Sequence, residues 1–376
     1  MIVTHIRIEN FRNHGHTDME FSSGINAILG DNGQGKTNLL EAISYLSLTK
    51  SFYAASDANV LQIGKEEFEI EGNIAAAAGT DHRVRIVYIR STGEKTITVN
   101  QVRPEKLTAV IGQFPVVILS PENSAITFGG PSDRRKFIDL LLSQVSRVYF
   151  EDLLEYRRVL RQRNRILFDA KAQGNDVSRI IEPWSISLAQ YGGRIMQRRS
   201  QFIREFRSYV TGAYEELVQQ GEKPDLEYVP MVSVPEGSDP EAMGRALMYE
   251  MENRRVEEAR RGLTLVGPHR DDLKMQIDGI SVQHFASQGQ HKTFLVALKV
   301  AEFFYLRERR SESPLFLLDD IFSELDAHRA KHILGLIGGL GQAIITATDE
   351  SAFRGGVEWN EANRRFCVEH GLCRVS

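Results

Sequence analysis

The chain has 376 residues, two cysteines and a formal net charge of −4 at neutral pH. That length exceeds one ordinary core and predicts two or more domains, while the charge excludes a uniformly basic nucleic-acid coat and leaves a local basic face as the electrostatic route to such a partner. No run offers the ~18 apolar residues of a membrane span and no cleavable apolar leader is evident, so a soluble cytoplasmic protein is expected; Cys367 and Cys373 lack the spacing of a zinc site or disulfide framework.

Taken in order, residues 5–11 and 17–21 alternate as strands do, and the mostly apolar run from Ile25 to Leu29 reads as a short strand. Next comes Gly30-Asp31-Asn32-Gly33-Gln34-Gly35-Lys36-Thr37, which satisfies G-x-x-x-x-G-K-[ST] and leads into a helix expected over 38–48. Glycines let the backbone wrap a polyphosphate, Lys36 would reach the β and γ phosphates of ATP, and the Thr37 hydroxyl suits Mg²⁺, which prefers hard oxygen ligands. Short β runs at 68–74, 83–89 and 95–102 suit an antiparallel sheet beside this loop. Residues 114–119 suit a buried strand that Ser120-Pro121-Glu122 ends.

From Ser132, a candidate helix cap, apolar spacing turns helical. A break at Gln173-Gly174-Asn175-Asp176 divides two helices, the second running from about 182 to 220, each ~50 Å long if continuous. Gly192-Gly193 is expected to interrupt the second. Over 154–210, twelve Lys or Arg face five Asp or Glu, a basic stretch in an acidic chain that reads as either a nucleic-acid face or a solvated helix surface. Residues 226–234 look extended, 241–261 helical, and 263–266 and 272–277 again β-like.

Leu315-Phe316-Leu317-Leu318-Asp319-Asp320 reads as a buried parallel strand presenting acids at its carboxyl end, where open α/β sheets bind ligands. Asp319 would orient Mg²⁺ through its waters, and Asp320 would act on the attacking water. Ser287-Gln288-Gly289-Gln290, at the start of an apolar helix, offers a second anion site or an ordinary helix cap. A homodimer in which the Ser287 helix of one subunit closes over the phosphates held by Lys36 of the other accounts for both loops.

Together, the phosphate loop, Ser287 to Gln290, the Leu-Leu-Asp-Asp strand and Ser323-Glu324-Leu325-Asp326 resemble the ABC-type heads of SMC-like chromosome and repair ATPases. The strings Gly129-Gly130-Pro131-Ser132-Asp133-Arg134-Arg135-Lys136-Phe137, Gly267-Pro268-His269-Arg270-Asp271-Asp272 and Asp320-Ile321-Phe322-Ser323 narrow this to the RecF family of bacterial recombination mediators. The resemblance implies an α/β, ABC-type P-loop ATPase head of two lobes, a mixed sheet plus an antiparallel β-subdomain, with an inserted helical arm. Its first part would span 1–131, the arm 132–261 and the second part 262–376. It further implies ATP-dependent dimerisation, binding of double-stranded and gapped DNA, weak ATP hydrolysis, and cooperation with RecR and RecO in loading RecA. Arg12 and Asn13 match a segment that helps hold nucleotide, and Ser323 to Asp326 match a loop crossing the dimer interface, which makes Asp326 a candidate nucleotide contact.

Three departures from the wider ABC pattern stand out. Asp320 replaces the usual glutamate and predicts slow turnover, Gln288 stands where many relatives have glycine, and Thr348 stands where a switch histidine is usual. The competing readings are an ATPase subunit energising a membrane transporter and a small-molecule phosphotransferase. The first is disfavoured by the missing histidine and the arginine-rich arm. The second leaves Ser287, Asp326 and the arm unexplained.

Overall fold

Strands that run apolar can be buried on both faces and strands that alternate on one, and these two patterns build two different sheets here. The computed structural model describes residues 1–54, 56–77, 79–173, 178–218, 221–324 and 327–375. They fall into two units, Met1–Asn123 joined by Val296–Ser376, and Ser124–Leu295.

In the first unit four mostly apolar strands and an outer hairpin form a six-stranded sheet in the order Leu372–Val375, Arg364–Glu369, Ile25–Leu29, Ala343–Ala347, Leu315–Leu318, Val116–Leu119. All neighbours are parallel except the outer hairpin. Every residue of the last four strands is buried. The hairpin Arg364–Val375 is an addition that the sequence reading did not anticipate.

The alternating runs form a five-stranded antiparallel sheet, His14–Glu20, Ile2–Phe11, Glu67–Ala75, Asp81–Ile89, Glu94–Val99, close to the expected positions. Its apolar face, with Ile6, Ile8, Phe11, Phe68, Ile70 and Ile86 fully buried, receives the helix Lys36–Leu48 that follows the phosphate loop. Tyr45 of that helix meets Phe11 edge-on, with ring centroids 5.5 Å apart, and Phe11 meets Phe68 at 5.4 Å, so aromatic packing fixes the helix on the sheet. The other face carries cross-strand ion pairs, Arg83 to Glu71 and Arg85 to Glu69, both at 2.7 Å. With their guanidinium groups in solvent, these pairs are screened and contribute little.

In the second unit, Pro131 rather than Ser132 opens the first long helix, Pro131–Val145, with Gly130 as the capping position. Proline suits that place because its missing N–H would be unpaired there anyway. The helices Arg147–Gln173 and Ser178–Leu217 follow; Gly174, Asn175 and Asp176 of the expected break lie outside the described residues. Gly192-Gly193 does not interrupt the second helix. The pair instead admits a close neighbour: a Cβ on Gly193 would collide with the Pro240 carbonyl and lie 2.8 Å from the Gly244 nitrogen. The helix Pro240–Asn253 crosses at that point, capped by Asp239, whose carboxylate accepts the Ala242 N–H at 2.6 Å. The expected helix 241–261 is two, divided at Arg254, the second being Arg255–Arg261.

Strand Pro224–Val229 pairs antiparallel with Asp272–Ile277, which continues into Ile280–Ser281. The strand expected at 263–266 does not form. Side chains capture its donors, Asn164 taking the Thr264 N–H and Glu258 the Leu265 N–H, both at 2.8 Å, so no ladder is needed to satisfy them.

Of the twelve cations in the basic stretch 154–210, eight are exposed, two are half-buried and two, Arg163 and Arg199, are buried. Arg163 is buried against Glu258 at 2.6 Å, and Arg199 against Asp139 at 2.7 Å and Asp271 at 3.6 Å. Burial works against the Arg199 charge, yet Asp139 and Asp271 more than offset it and raise its pKa. Arg194 and Arg198 share Asp152, at 2.8 and 3.1 Å. Arg161 and Arg165 are among the exposed ones.

Candidate nucleotide site

The phosphate loop leaves the carboxyl end of Ile25–Leu29 and enters the helix at Lys36. Gly35, at φ 112°, is the capping position; no side chain caps the helix and its first turn holds no acidic residue. A helix start built this way directs its N–H groups and dipole at an external anion. The Lys36 ammonium donates to the carbonyls of Gly30 at 2.6 Å and Asp31 at 2.9 Å. Burial lowers its pKa, against the pull of Asp320, Asp319 and Asp31.

Parallel register brings the acids to this loop. Leu318 lies level with both Leu119 and Ile345, and Ala347 with Leu29, so the strand ends converge. Buried Asp319 is the hub: Thr37 donates to its two oxygens at 2.9 and 2.8 Å, Tyr53 to Oδ2 at 2.9 Å, and Thr346 to Oδ1 at 2.8 Å. The Thr346 hydroxyl also accepts the backbone N–H of Asp320 at 2.9 Å, tying the two acids together. Asp320 sits half-buried at φ 47°, a left-handed conformation that aspartate tolerates better than most residues.

Negative charge is concentrated here. Burial first, then Asp319 and Glu41, raises the Glu122 carboxyl pKa. Burial and then Asp319 raise that of Tyr53, keeping its phenol a donor. The oxygen-only pair Thr37 and Asp319 fits Mg²⁺, and among the described residues no cluster of three or more His, Cys, Asp or Glu forms a protein cage. An ion here would therefore complete its shell with water and phosphate oxygens.

The chain matches the RecF/RecN/SMC N terminal domain family over residues 2–364. It is 42% identical over 351 residues to the DNA replication and repair protein RecF of Chloroherpeton thalassium, covering 93% of this chain and 95% of that one. The chain belongs to the RecF family. RecF of Salinibacter ruber is 38% identical over 368 residues, covering 97% of this chain and 89% of that one. A solved structure of the recombination mediator protein RecF with ATP, of the RecFOR pathway, agrees with a TM-score of 0.91 at 32% identity, covering 100% of this chain and 97% of that one. An Smc head bound to the C-winged helix domain of ScpA gives a TM-score of 0.53 at 14% identity, covering 100% of this chain and 97% of that one, and shares the fold alone. The fold is thus the α/β head of RecF and SMC ATPases with its helical insertion.

In this RecF-family chain the remaining sequence candidates divide. Asn13 touches the phosphate loop directly, donating to the Gln34 carbonyl at 2.9 Å and accepting from Asn38 at 2.8 Å. The Arg12 guanidinium grips buried Glu41 through two bonds of 2.9 and 3.0 Å, bracing the helix behind the loop. Ser287, Gln288, Gly289 and Gln290 belong to the second unit and open the helix Gln288–Arg310. There Ser287 and Gln290 form a reciprocal capping box: the Gln290 N–H donates to Ser287 Oγ at 3.2 Å, and the Ser287 N–H to Gln290 Oε1 at 2.9 Å. Asp326 lies outside the described residues.

The RecF-type site also contains residues that the sequence reading missed. Tyr53 lies in a stretch with no motif. Thr346, not Thr348, meets the acids, Thr348 being exposed. The available signal was a lone polar residue inside the otherwise apolar, fully buried strand Ala343–Ala347.

Proposed function

We propose that this chain is a cytoplasmic, ATP-dependent DNA-binding repair protein of the RecF type. ATP drives a homodimer that clamps duplex DNA near single-strand gaps and, with RecR and RecO, assists RecA loading; weak hydrolysis resets it. The observation that carries the reading is the Thr37 hydroxyl on the Asp319 carboxylate, at 2.8 Å, where the phosphate loop meets the acidic strand end. The likeness over the whole chain to a RecF solved with ATP supports it.

In this mechanism the loop N–H groups and Lys36 hold the β and γ phosphates. Thr37 and Asp319 would hold Mg²⁺, which when bound neutralises and orients phosphate oxygens. Asp320, its backbone held by Thr346, positions the attacking water and accepts its proton as the bond from the γ-phosphorus to the bridging oxygen breaks and ADP departs. An aspartate reaches less far than a glutamate, so turnover is slow. The helix that Ser287 begins closes on the γ-phosphate of a second copy. Shifting a monomer–dimer switch from 1:99 to 99:1 needs about 5.5 kcal/mol of differential affinity, within reach of two shared polyphosphates. Arg163 and Arg199 are engaged internally, so exposed groups such as Arg161 and Arg165 are the arm residues able to meet DNA.

The test is binding of Asp320→Asn protein to gapped duplex across a salt series, with Mg²⁺-ATP and without nucleotide. Tight binding that appears only with ATP and weakens steeply with salt is expected. ATP-independent binding, or none with RecR present, overturns the clamp. Ser287→Arg should keep monomer ATP binding and lose the ATP-driven dimer in light scattering.

A further inference from the structure

The hairpin Arg364–Val375 was invisible in the motif pattern, yet it meets the phosphate loop at several points. Strand Arg364–Glu369 runs parallel to the phosphate-loop strand, with Cys367 level with Leu29, so its carboxyl end arrives beside Gly30. Its two-residue turn, His370-Gly371, has φ of 48° and 77°, the pair of positive values a tight type I′ hairpin requires.

Gln34 is where the turn and the loop join. Its carbonyl accepts from the Gly371 N–H and from Asn13 Nδ2, both at 2.9 Å, and its side-chain Oε1 accepts the His370 N–H at 2.7 Å. Backbone approaches are as close as glycine allows: a Cβ on Gly371 would strike the Asn13 carbonyl, and one on Gly30 the Val368 carbonyl. Beneath them, fully buried His14 sits 3.0 Å from the Gly35 carbonyl and 2.9 Å from Thr17 Oγ1, which in turn reaches the Gly371 carbonyl at 3.3 Å. The loop is therefore held on one side by Asn13 and His14 and on the other by the 370–371 turn.

We propose that His370-Gly371 is a positioning element of the nucleotide site, fixing the Gln34 peptide and with it the curvature of the phosphate-binding backbone. This rests on the nucleotide reading above. Phosphate binding needs several N–H groups aimed at one point, and a peptide at mid-loop that can rotate aims them elsewhere. The three donors on Gln34 leave it a single orientation before ligand arrives, so the ordering cost of binding is met by folding.

The test is titration of a fluorescent ATP analogue against the full chain, with Lys36→Met as the control that should abolish binding. Gln34→Met keeps side-chain length and removes the acceptor for His370. Loss of one such hydrogen bond should weaken affinity about fivefold, with an unchanged melting temperature and a KM that rises more than kcat falls. Gly371→Val forces a branched side chain against the Asn13 carbonyl at a positive φ and should weaken ATP and ADP alike, about tenfold or more. If that variant unfolds, Gln34→Met decides alone. Wild-type affinity in Gln34→Met overturns the inference while leaving nucleotide binding intact. Failure of the unaltered protein to bind the analogue would instead overturn the nucleotide reading, and the inference with it.

Discussion

Arg163 separates a basic surface from a basic interior, and methionine in its place measures the difference. Its guanidinium donates to Glu258 at 2.6 Å, Thr264 Oγ1 at 2.8 Å and Ser185 Oγ at 3.0 Å, and both members of the ion pair are buried. Arg163→Met leaves the Glu258 carboxylate with the Leu265 N–H as its remaining hydrogen bond, and an uncompensated buried charge costs about 3–5 kcal/mol. With a urea slope near 2 kcal/mol per molar, the unfolding midpoint should fall by about 1.5–2.5 M. The chain has two tryptophans, Trp184 beside Ser185 and Trp359 in the other unit, so fluorescence in a Trp359→Phe background reports the affected unit alone. Arg161→Met, at an exposed position, should shift stability by no more than ~0.5 kcal/mol. Adding Glu258→Leu to Arg163→Met should recover most of the loss, because the penalty belongs to the stranded charge. A midpoint shift below about 0.3 M in Arg163→Met, with DNA affinity reduced instead, would refute the internal assignment.

Three further outcomes follow from the geometry. Thr346→Val removes the hydroxyl joining Asp319 to the Asp320 backbone and should lower ATP hydrolysis at least about tenfold, since small misplacements of reacting groups are costly; Thr346→Ser should restore it, and equal rates in all three would exclude a positioning role. Gly193→Val overpacks the crossing with Pro240–Asn253 and should cost about 1–3 kcal/mol in urea unfolding, with an unchanged midpoint counting against the close approach. His269, pushed down to about 4 chiefly by burial, is neutral in the fold, where Nδ1 accepts from Tyr156 at 2.6 Å and Nε2 donates to the Thr264 carbonyl at 3.3 Å. The unfolded chain binds the extra proton between about 6.5 and 4, so stability is full above that range and falls with pH through it, by about 3 kcal/mol at most. Urea midpoints at pH 7.5 and 5 should differ more in the wild type than in His269→Gln, and parallel shifts would assign the loss elsewhere.

What the sequence disclosed was what lies close together in it. The phosphate loop is eight consecutive residues, and Asp319 and Asp320 end one apolar run, so both could be read locally. Tyr53 and Thr346 reach Asp319 across 266 and 27 positions and carry no motif, so only the fold unites them. Within the arginine stretch the sequence could not single out the two buried members, because the partners of Arg163 and Arg199, namely Asp139, Glu258 and Asp271, lie outside it in sequence and against it in space. Gly192-Gly193 suggested a break because intrinsic propensity disfavours glycine in a helix, whereas packing against Pro240 and Gly244 requires it. At 263–266, β propensity yielded to Asn164 and Glu258, which satisfy the backbone donors without a neighbouring strand.

The central sheet also sets an order of events on the ribosome. Strand Ile25–Leu29 is flanked by Ala343–Ala347 and Arg364–Glu369, so it must wait for more than 300 residues of further synthesis before either neighbour exists. At ordinary elongation rates that is roughly 15–60 s. During this interval the helices of residues 131–217, closed by local contacts, can form while the nascent phosphate-loop strand stays unpaired. Nucleotide therefore cannot template early folding, and the exposed apolar strand is the segment for which a chaperone would compete.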